Sequence, residues 1–277
     1  MMVDAHQHFW NVDTGWYTWL TPDLGPLYRT YAPDDLRPEL DVTGIEATVL
    51  VQAADSYDDT DAMLAQAEAH DFIAAVVGWV PLDRPAEAAE AIGRYRRHPK
   101  FAGVRHLIHD EPDPDWVVQD SVLESLGLLA EAGLTLDVPS LLPRHLDHVV
   151  TLAERHPSLK IVIDHLSKPR IKDHEWEPWA AQLTRAAACP NVYAKVSGLV
   201  TEADHRAWTV EDLRPYVEHA VETFGPERLM YGSDWPVALL AADYRTVWEV
   251  ATALLGGTDK DRVFGDTARY FYGFDRV

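Results

Sequence analysis

Val3-Asp4-Ala5-His6-Gln7-His8-Phe9-Trp10 lies at the start of the chain, and Tyr231-Gly232-Ser233-Asp234-Trp235-Pro236 answers it far downstream. In a strand, residues i and i+2 point to the same face. His6 and His8 therefore aim two imidazoles the same way where an apolar run stops. Asp234 stands in the same situation, at the close of Leu229-Met230-Tyr231. Two histidines of the first strand and one aspartate of the last can meet only if the sheet closes on itself.

Between them, strand-like runs recur near residues 3–8, 46–52, 73–79, 101–107, 134–138, 160–165, 191–197 and 228–234. Ala47-Thr48-Val49-Leu50-Val51 and Ile73-Ala74-Ala75-Val76-Val77 are near-continuous apolar text. Such text marks strands covered on both faces, hence parallel. The stretches between carry helical signals. Leu142, Leu146, Val149, Val150 and Ala153 recur at helical spacing, with Pro143 suited to the first turn and Pro157 beyond the end. Thr209 and Asp212 predict a capping box, followed by an apolar stripe of Leu213, Val217, Ala220, Val221 and Phe224 that Gly225 closes. Strands alternating with helices, without a linker or low-complexity segment, predict a single (β/α)8 TIM-type barrel over residues 1–277.

The bulk numbers fit one such domain. The chain has 277 residues, 47% of them hydrophobic and 10% aromatic, enough for a large core. No apolar run reaches the roughly eighteen residues of a membrane span. No basic and apolar leader is visible. Cys189 is the only cysteine and makes no internal disulfide, which fits a reducing cytosol; it reads as a buried helix residue rather than a nucleophile. A net charge of -21 repels nucleic acid and anionic lipid. The expectation is a cytoplasmic monomer or small homo-oligomer that acts on a small molecule, away from nucleic acid and membranes.

Two connections exceed the usual short loop. The first, from Phe9 to about Pro33, holds Trp10, Trp16, Tyr17, Trp19, Tyr28 and Tyr31. The second, from Ser167 to Pro178, holds Lys168, Arg170, Lys172, His174 and Trp176. Both leave C-terminal strand ends, where barrels of this kind build their sites. The aromatics can simply pin a long loop, but their flat faces also suit the C–H faces of a sugar ring.

The strand ends offer Gln52, Trp79, Arg105, His106, Asp137, His165, Lys195, Ser197 and Asp234, with His109 and Asp110 beyond the fourth. A lone histidine is usually structural, and His70, His98 and His156 near helix ends read that way. An aspartate before Trp-Pro can likewise cap a turn. His6, His8, His165 and Asp234 differ, because separate runs deliver them to one barrel mouth. Two chemistries fit them. Together they suit one divalent metal, zinc or manganese, that polarises a carbonyl or activates water. Alternatively no metal is required: arginine and histidine hydrogen-bond the carbonyl while Asp234 takes a proton from attacking water.

These residues, in this order, resemble the amidohydrolase superfamily, whose signature is a His-x-His on strand one and an aspartate ending strand eight. Asp4 to Trp10, Gly103-Val104-Arg105-His106 with Asp110-Glu111-Pro112, and Ile163 to Pro169 are similar to its branch of sugar lactonases. So are Tyr193-Ala194-Lys195-Val196-Ser197-Gly198-Leu199 and Leu229 to Val237 running on to Leu239-Leu240-Ala241. The likeness covers nearly the whole chain and points within the branch to L-fuconolactonases or L-rhamnonolactonases. Binuclear members of the superfamily carry a lysine or glutamate ending strand four and histidines ending strands five and six. Here Arg105 or His106, Asp137 and His165 stand there, so a bridged two-metal centre is not expected. The resemblance to this branch implies one metal or none.

The resemblance implies hydrolysis of a sugar-acid lactone. Asp234 is expected as general base, and His165 with Arg105 or His106 as the oxyanion's partners. His6 and His8 hold a metal or donate to the carbonyl region. Lys195 and Ser197 bind ring oxygens or hydroxyls, and the loop from Trp10 to Trp19 covers the ring. The alternative on the same scaffold is a metal-dependent amidohydrolase or a decarboxylase of aromatic acids.

Overall fold

Apolar runs too short for helices become eight strands: β1 Val3–Gln7, β2 Ala47–Val51, β3 Ile73–Gly78, β4 Phe101–Arg105, β5 Thr135–Val138, β6 Ile161–Ile163, β7 Val192–Val196 and β8 Leu229–Tyr231. The computed structural model describes residues 1–141 and 143–274. The strands pair in sequence order, and every pair is parallel. Closure comes just past β8. The Asp234 N–H donates to the His6 carbonyl and the His8 N–H to the Trp235 carbonyl, both at 2.8 Å. The contact that closes the barrel thus also seats Asp234 beside His6 and His8.

The helices lie outside: α1 Pro33–Thr43, α2 Tyr57–Ala69, α3 Pro85–Tyr95, α4 Asp120–Ala132, α5 Pro143–Arg155, α6 Trp179–Ala187, α7 Val210–Phe224 and α8 Tyr244–Leu255, with a short α9, Thr267–Tyr272. Leu146, Val149 and Ala153 of α5 are buried; Leu142, expected in the same stripe, lies outside the described residues. Asp212 accepts the Thr209 N–H at 2.7 Å at the start of α7, as a capping box requires, and Gly225 ends the helix at φ 68°. Cys189 falls in the turn after α6 rather than in a helix, because the helix stops before Pro190. No helix among the described residues is long and apolar enough to cross a membrane.

Apolar side chains form two clusters. The larger fills the layer between strands and helices. The smaller, with Val3, Ala5, Val49, Val77 and Met230, occupies the barrel interior, and α9 adds Phe271 and Tyr272 to it. Strand parity would turn His6 away from Val3 and Ala5. The register of β1 on β2 shifts between Asp4 and Gln7, however, and Gln7 donates outward to Thr48 Oγ1 at 3.1 Å. The shift leaves His6 and His8 both facing the barrel axis.

Candidate active site

The donor atoms at the mouth converge. His6 Nε2 lies 3.1 Å from His8 Nε2 and 3.8 Å from Asp234 Oδ1. Asp234 Oδ1 is 3.5 Å from His8 Nε2 and 3.9 Å from His165 Nε2. Four ligands held at roughly 2.0–2.1 Å around a tetrahedral zinc stand about 3.3–3.4 Å apart. His6, His8 and Asp234 each bring a donor atom within 4.8 Å of the others, a group that could hold a small divalent ion, while His165 groups instead with His6 and Asp164; all five residues are buried. The second nitrogen of each histidine is engaged behind the site. His8 Nδ1 meets the Val51 carbonyl at 2.7 Å, and His165 Nδ1 meets Ser197 Oγ at 2.8 Å. Such partners fix which ring nitrogen faces the centre.

The backbone is bent to make this arrangement. After β6, His165, Leu166, Ser167 and Lys168 all take left-handed conformations, at φ 53°, 48°, 63° and 49°. Asp234 does the same at φ 58°. Each such non-glycine residue costs on the order of 1–2 kcal/mol, and strain of this kind collects at functional sites.

Electrostatics sorts the groups. Burial alone would raise the Asp234 carboxyl, but His165, a hydrogen bond from His8 and the charge of His6 hold it well below the usual carboxylate range. Burial pushes the His165 imidazole down to about 4, against the pull of Asp234 and Asp164. His6 is also lowered well below the ordinary imidazole value, by burial first and by Lys195 second. The site is therefore an ionised carboxylate among imidazoles, two of which resist protonation.

Above the cluster opens a cleft of about 190 Å³, lined by His8, His165, Asp234, Arg105, Trp19, His109 and Lys168 among others. Arg105 is held by Asp164 at 3.1 Å and by the Gln52 carbonyl at 2.5 Å. Its Nε–H has no acceptor among the described residues, so the guanidinium keeps donor capacity. Lys168 pairs with Glu202 at 3.2 Å on the rim.

Four residues expected to touch substrate are engaged elsewhere. His106 stacks on Trp116, ring centroids 4.0 Å apart, while Trp79 Nε1 donates to its Nδ1 and Glu111 meets its Nε2 at 2.8 Å. That wall lies behind the cleft, which leaves Arg105 as the strand-four group facing it. Trp10 is buried under the first loop, its indole N–H donating to the Arg29 carbonyl at 2.8 Å. Trp19 packs edge-on against it and faces the cleft. Ser197 is occupied with His165. Lys195 has no exposure at all; it lies beneath His6, 2.5 Å from Asp137 Oδ2 and 3.0 Å from Asp164 Oδ1.

Asp164 escaped the sequence reading, although it binds Arg105, Lys195 and His6 at once. A strand continued through Asp164-His165 would send the two to opposite faces; the left-handed turn brings both to the centre. The available signal was a carboxylate at the end of an apolar run. Tyr272 was equally hidden, arriving from α9 to donate to Asp137 at 2.7 Å.

A closed (β/α)8 barrel whose mouth gathers two imidazoles and a carboxylate within 4.8 Å of one another, with a third imidazole beside them, is the architecture of a barrel that activates water or a carbonyl. The chain belongs to the amidohydrolase family, whose model matches residues 3–274. It is 39% identical to an L-fucono-1,5-lactonase of Burkholderia ambifaria, over 99% of this chain and 96% of that protein. An L-fucono-1,5-lactonase of Burkholderia multivorans is 36% identical over 98% and 96%. A solved amidohydrolase structure from Burkholderia multivorans with bound zinc superposes at a TM-score of 0.92, with 36% identity and 99% of each chain covered.

Proposed function

We propose that this protein hydrolyses a sugar-acid lactone of the L-fucono-1,5-lactone type. One observation carries the reading: Asp234, His165, Arg105 and Trp19 line one cleft, with the base, the carbonyl partners and a ring-covering face in reach of one small ligand. The two relatives at 39% and 36% identity support the lactone over the decarboxylase alternative.

Asp234 is ionised throughout the working range and orients the attacking water. It accepts the water proton as the bond to the carbonyl carbon forms, then returns a proton to the ring oxygen as the ester bond breaks. Arg105 donates to the carbonyl oxygen as negative charge grows there, and its charge is balanced by Asp164 rather than neutralised by proton loss. Trp19 covers the sugar ring, while Lys168 and His109 at the rim receive hydroxyls and the product carboxylate. His6, His8, His165 and Asp234 would hold one divalent metal, which when bound supplies Lewis-acid polarisation. A lactone is an activated ester, so the protein donors suit it with or without that help.

The test is proton release from a panel of aldonolactones, on purified protein before and after chelation with metal content measured. Turnover of L-fucono-1,5-lactone is expected, and Asp234→Asn should lower kcat by about 10²–10⁴ while product still binds. A protein that opens no lactone, or an Asp234→Asn variant with unchanged turnover, would overturn the reading.

A further inference from the structure

Arg105 and Lys168 are the cationic side chains that line the cleft, and each meets a carboxylate of the protein. Arg105 pairs with Asp164, which has no exposure and is tied to Lys195 and His6 as well. Lys168 pairs with Glu202, Nζ to Oε1 at 3.2 Å, and among the described residues each is the other's only ion-pair partner. Glu202 closes the short turn after β7, Leu199–Glu202, and lines a neighbouring hollow rather than the cleft. Lys168 thus stands between a resident carboxylate on one side and the ligand space on the other.

This pair does more than tie two loops. Its side chains are 29% and 20% exposed, so water and salt screen it less than a surface pair. The connections after β6 and β7 are also joined by Lys172 and Asp204 at 3.8 Å, 64% and 49% exposed and away from the cleft. What Glu202 adds is a charge against the ammonium that faces the ligand.

That charge matters because hydrolysis changes the charge of the ligand. Water oxygen bonds to the carbonyl carbon, and the ring C–O bond breaks with a proton passing to the ring oxygen. The new carboxyl group then releases its proton to solvent at neutral pH. A neutral ring enters and an anion leaves. An unpaired ammonium at the rim would bind the anion better than the ring and delay the next lactone. With Glu202 in place, the product carboxylate must displace a resident one. The ammonium carries three donors, so its pairing still leaves protons for a lactone hydroxyl. Resting on the lactonase reading above, we propose that Glu202 is a specificity-determining residue, which occupies Lys168 so that the site favours the neutral lactone over its own charged product. Such selectivity comes from weakening the unwanted ligand rather than strengthening the wanted one.

The test is calorimetric titration of the full chain with the aldonate that L-fucono-1,5-lactone gives on hydrolysis. Parent, Glu202→Gln and Asp204→Asn are compared at equal measured metal content. Glu202→Gln keeps the shape and removes the charge. It should tighten the aldonate by about threefold to fivefold, the scale of one partly exposed ion pair. The ratio of the aldonate Kd to the lactone KM should fall with it, and the gain should shrink in high salt. Asp204→Asn removes the same charge from the neighbouring pair and should leave aldonate affinity at the parent's value. In a Lys168→Met background the gain from Glu202→Gln should disappear, because the competition is for that ammonium. A carboxylate that only held the loops would weaken both ligands when replaced. Aldonate affinity unchanged or weakened in Glu202→Gln overturns the proposal, as does an equal gain in Asp204→Asn or without Lys168. Where Glu202→Gln does not fold, Glu202→Asp draws the carboxylate back by one methylene and should tighten the aldonate in the same direction; unchanged affinity there overturns the proposal too. A parent that opens the lactone beside a Glu202→Gln variant with the parent's aldonate affinity removes only the role of Glu202. A parent that opens no lactone removes that role and the lactonase reading together.

Discussion

Two tryptophans of the first long loop separate covering a ligand from holding a fold. Trp19 is half-buried, its indole N–H tied to the Ala53 carbonyl at 2.8 Å and its ring at the cleft. Trp10 lies beneath it, packed edge-on against Trp19 and Tyr31 at 5.2 and 5.5 Å. Trp19→Ala should therefore raise KM for the lactone with little change in the urea midpoint. Trp10→Ala removes a buried indole and should cost about 3–5 kcal/mol in urea unfolding, with KM altered only as far as Trp19 shifts. A stable Trp10→Ala protein with a raised KM would show instead that Trp10 reaches the substrate. The sequence displayed an aromatic loop at the right strand end, but not which ring faces the cleft. That depends on the antiparallel bridge between Trp10 and Tyr31, which folds the loop back over the first ring. Pairing across twenty residues of irregular chain leaves no periodic trace.

At the scale of elements, the legible features were those with a period. Apolar runs located every strand, i and i+2 spacing put His6 and His8 on one face, and the order of strands placed Asp234 beside them. What broke period was not legible: the register shift in β1, and the left-handed turn that aims Asp164 and His165 together. Lys195 shows a third limit. Its parity in Tyr193-Ala194-Lys195 says that it points inward, but not that it sits one level below the cleft, against Asp137 and Asp164. The β7–α7 corner is where such placement can be tested. Gly198 has φ 60°, and a Cβ there would stand 2.7 Å from Asp234 Oδ2 and 2.8 Å from His165 Nδ1. Gly198→Ala should thus displace both groups and lower kcat/KM by about 10²-fold or more. Gly93, inside α3 with open space around it, is the control. Gly93→Ala should raise stability by roughly 0.5–1 kcal/mol and leave kinetics unchanged. Equal activity in the two variants would mean that the corner does not position the site.

For the whole molecule, the two buried cations Arg105 and Lys195 face Asp137 and Asp164 in the barrel interior, and Asp234 adds a further buried carboxylate beside the imidazoles. Acid should act on the interior in two opposing ways. Burial raises Asp4 and Asp59, and raises Asp137 to about 6 against the pull of Lys195; these groups bind protons more readily folded than unfolded. Burial lowers His145 and His165 to about 4, and these do the reverse. Global stability between neutral pH and pH 4 sums these groups with others shifted in either direction, such as His6 and Asp55, so the bulk curve hides each. A thermodynamic cycle isolates one. For His165 the folded value is depressed from an unfolded value of about 6.5. Above that pH the group is neutral in both states and costs nothing. As pH falls from 6.5 towards 4 the unfolded chain takes up a proton that the folded chain refuses, and stability is lost by about 1.4 kcal/mol per pH unit. His165→Asn lacks this linkage. In chelator, the stability difference between parent and variant from urea unfolding should shift against the parent by about 3 kcal/mol between pH 7 and pH 4. A difference that stays constant across that range would mean that His165 titrates in the folded protein as it does in the unfolded chain, and that the imidazoles of the site do not share the dry environment from which their chemistry was derived.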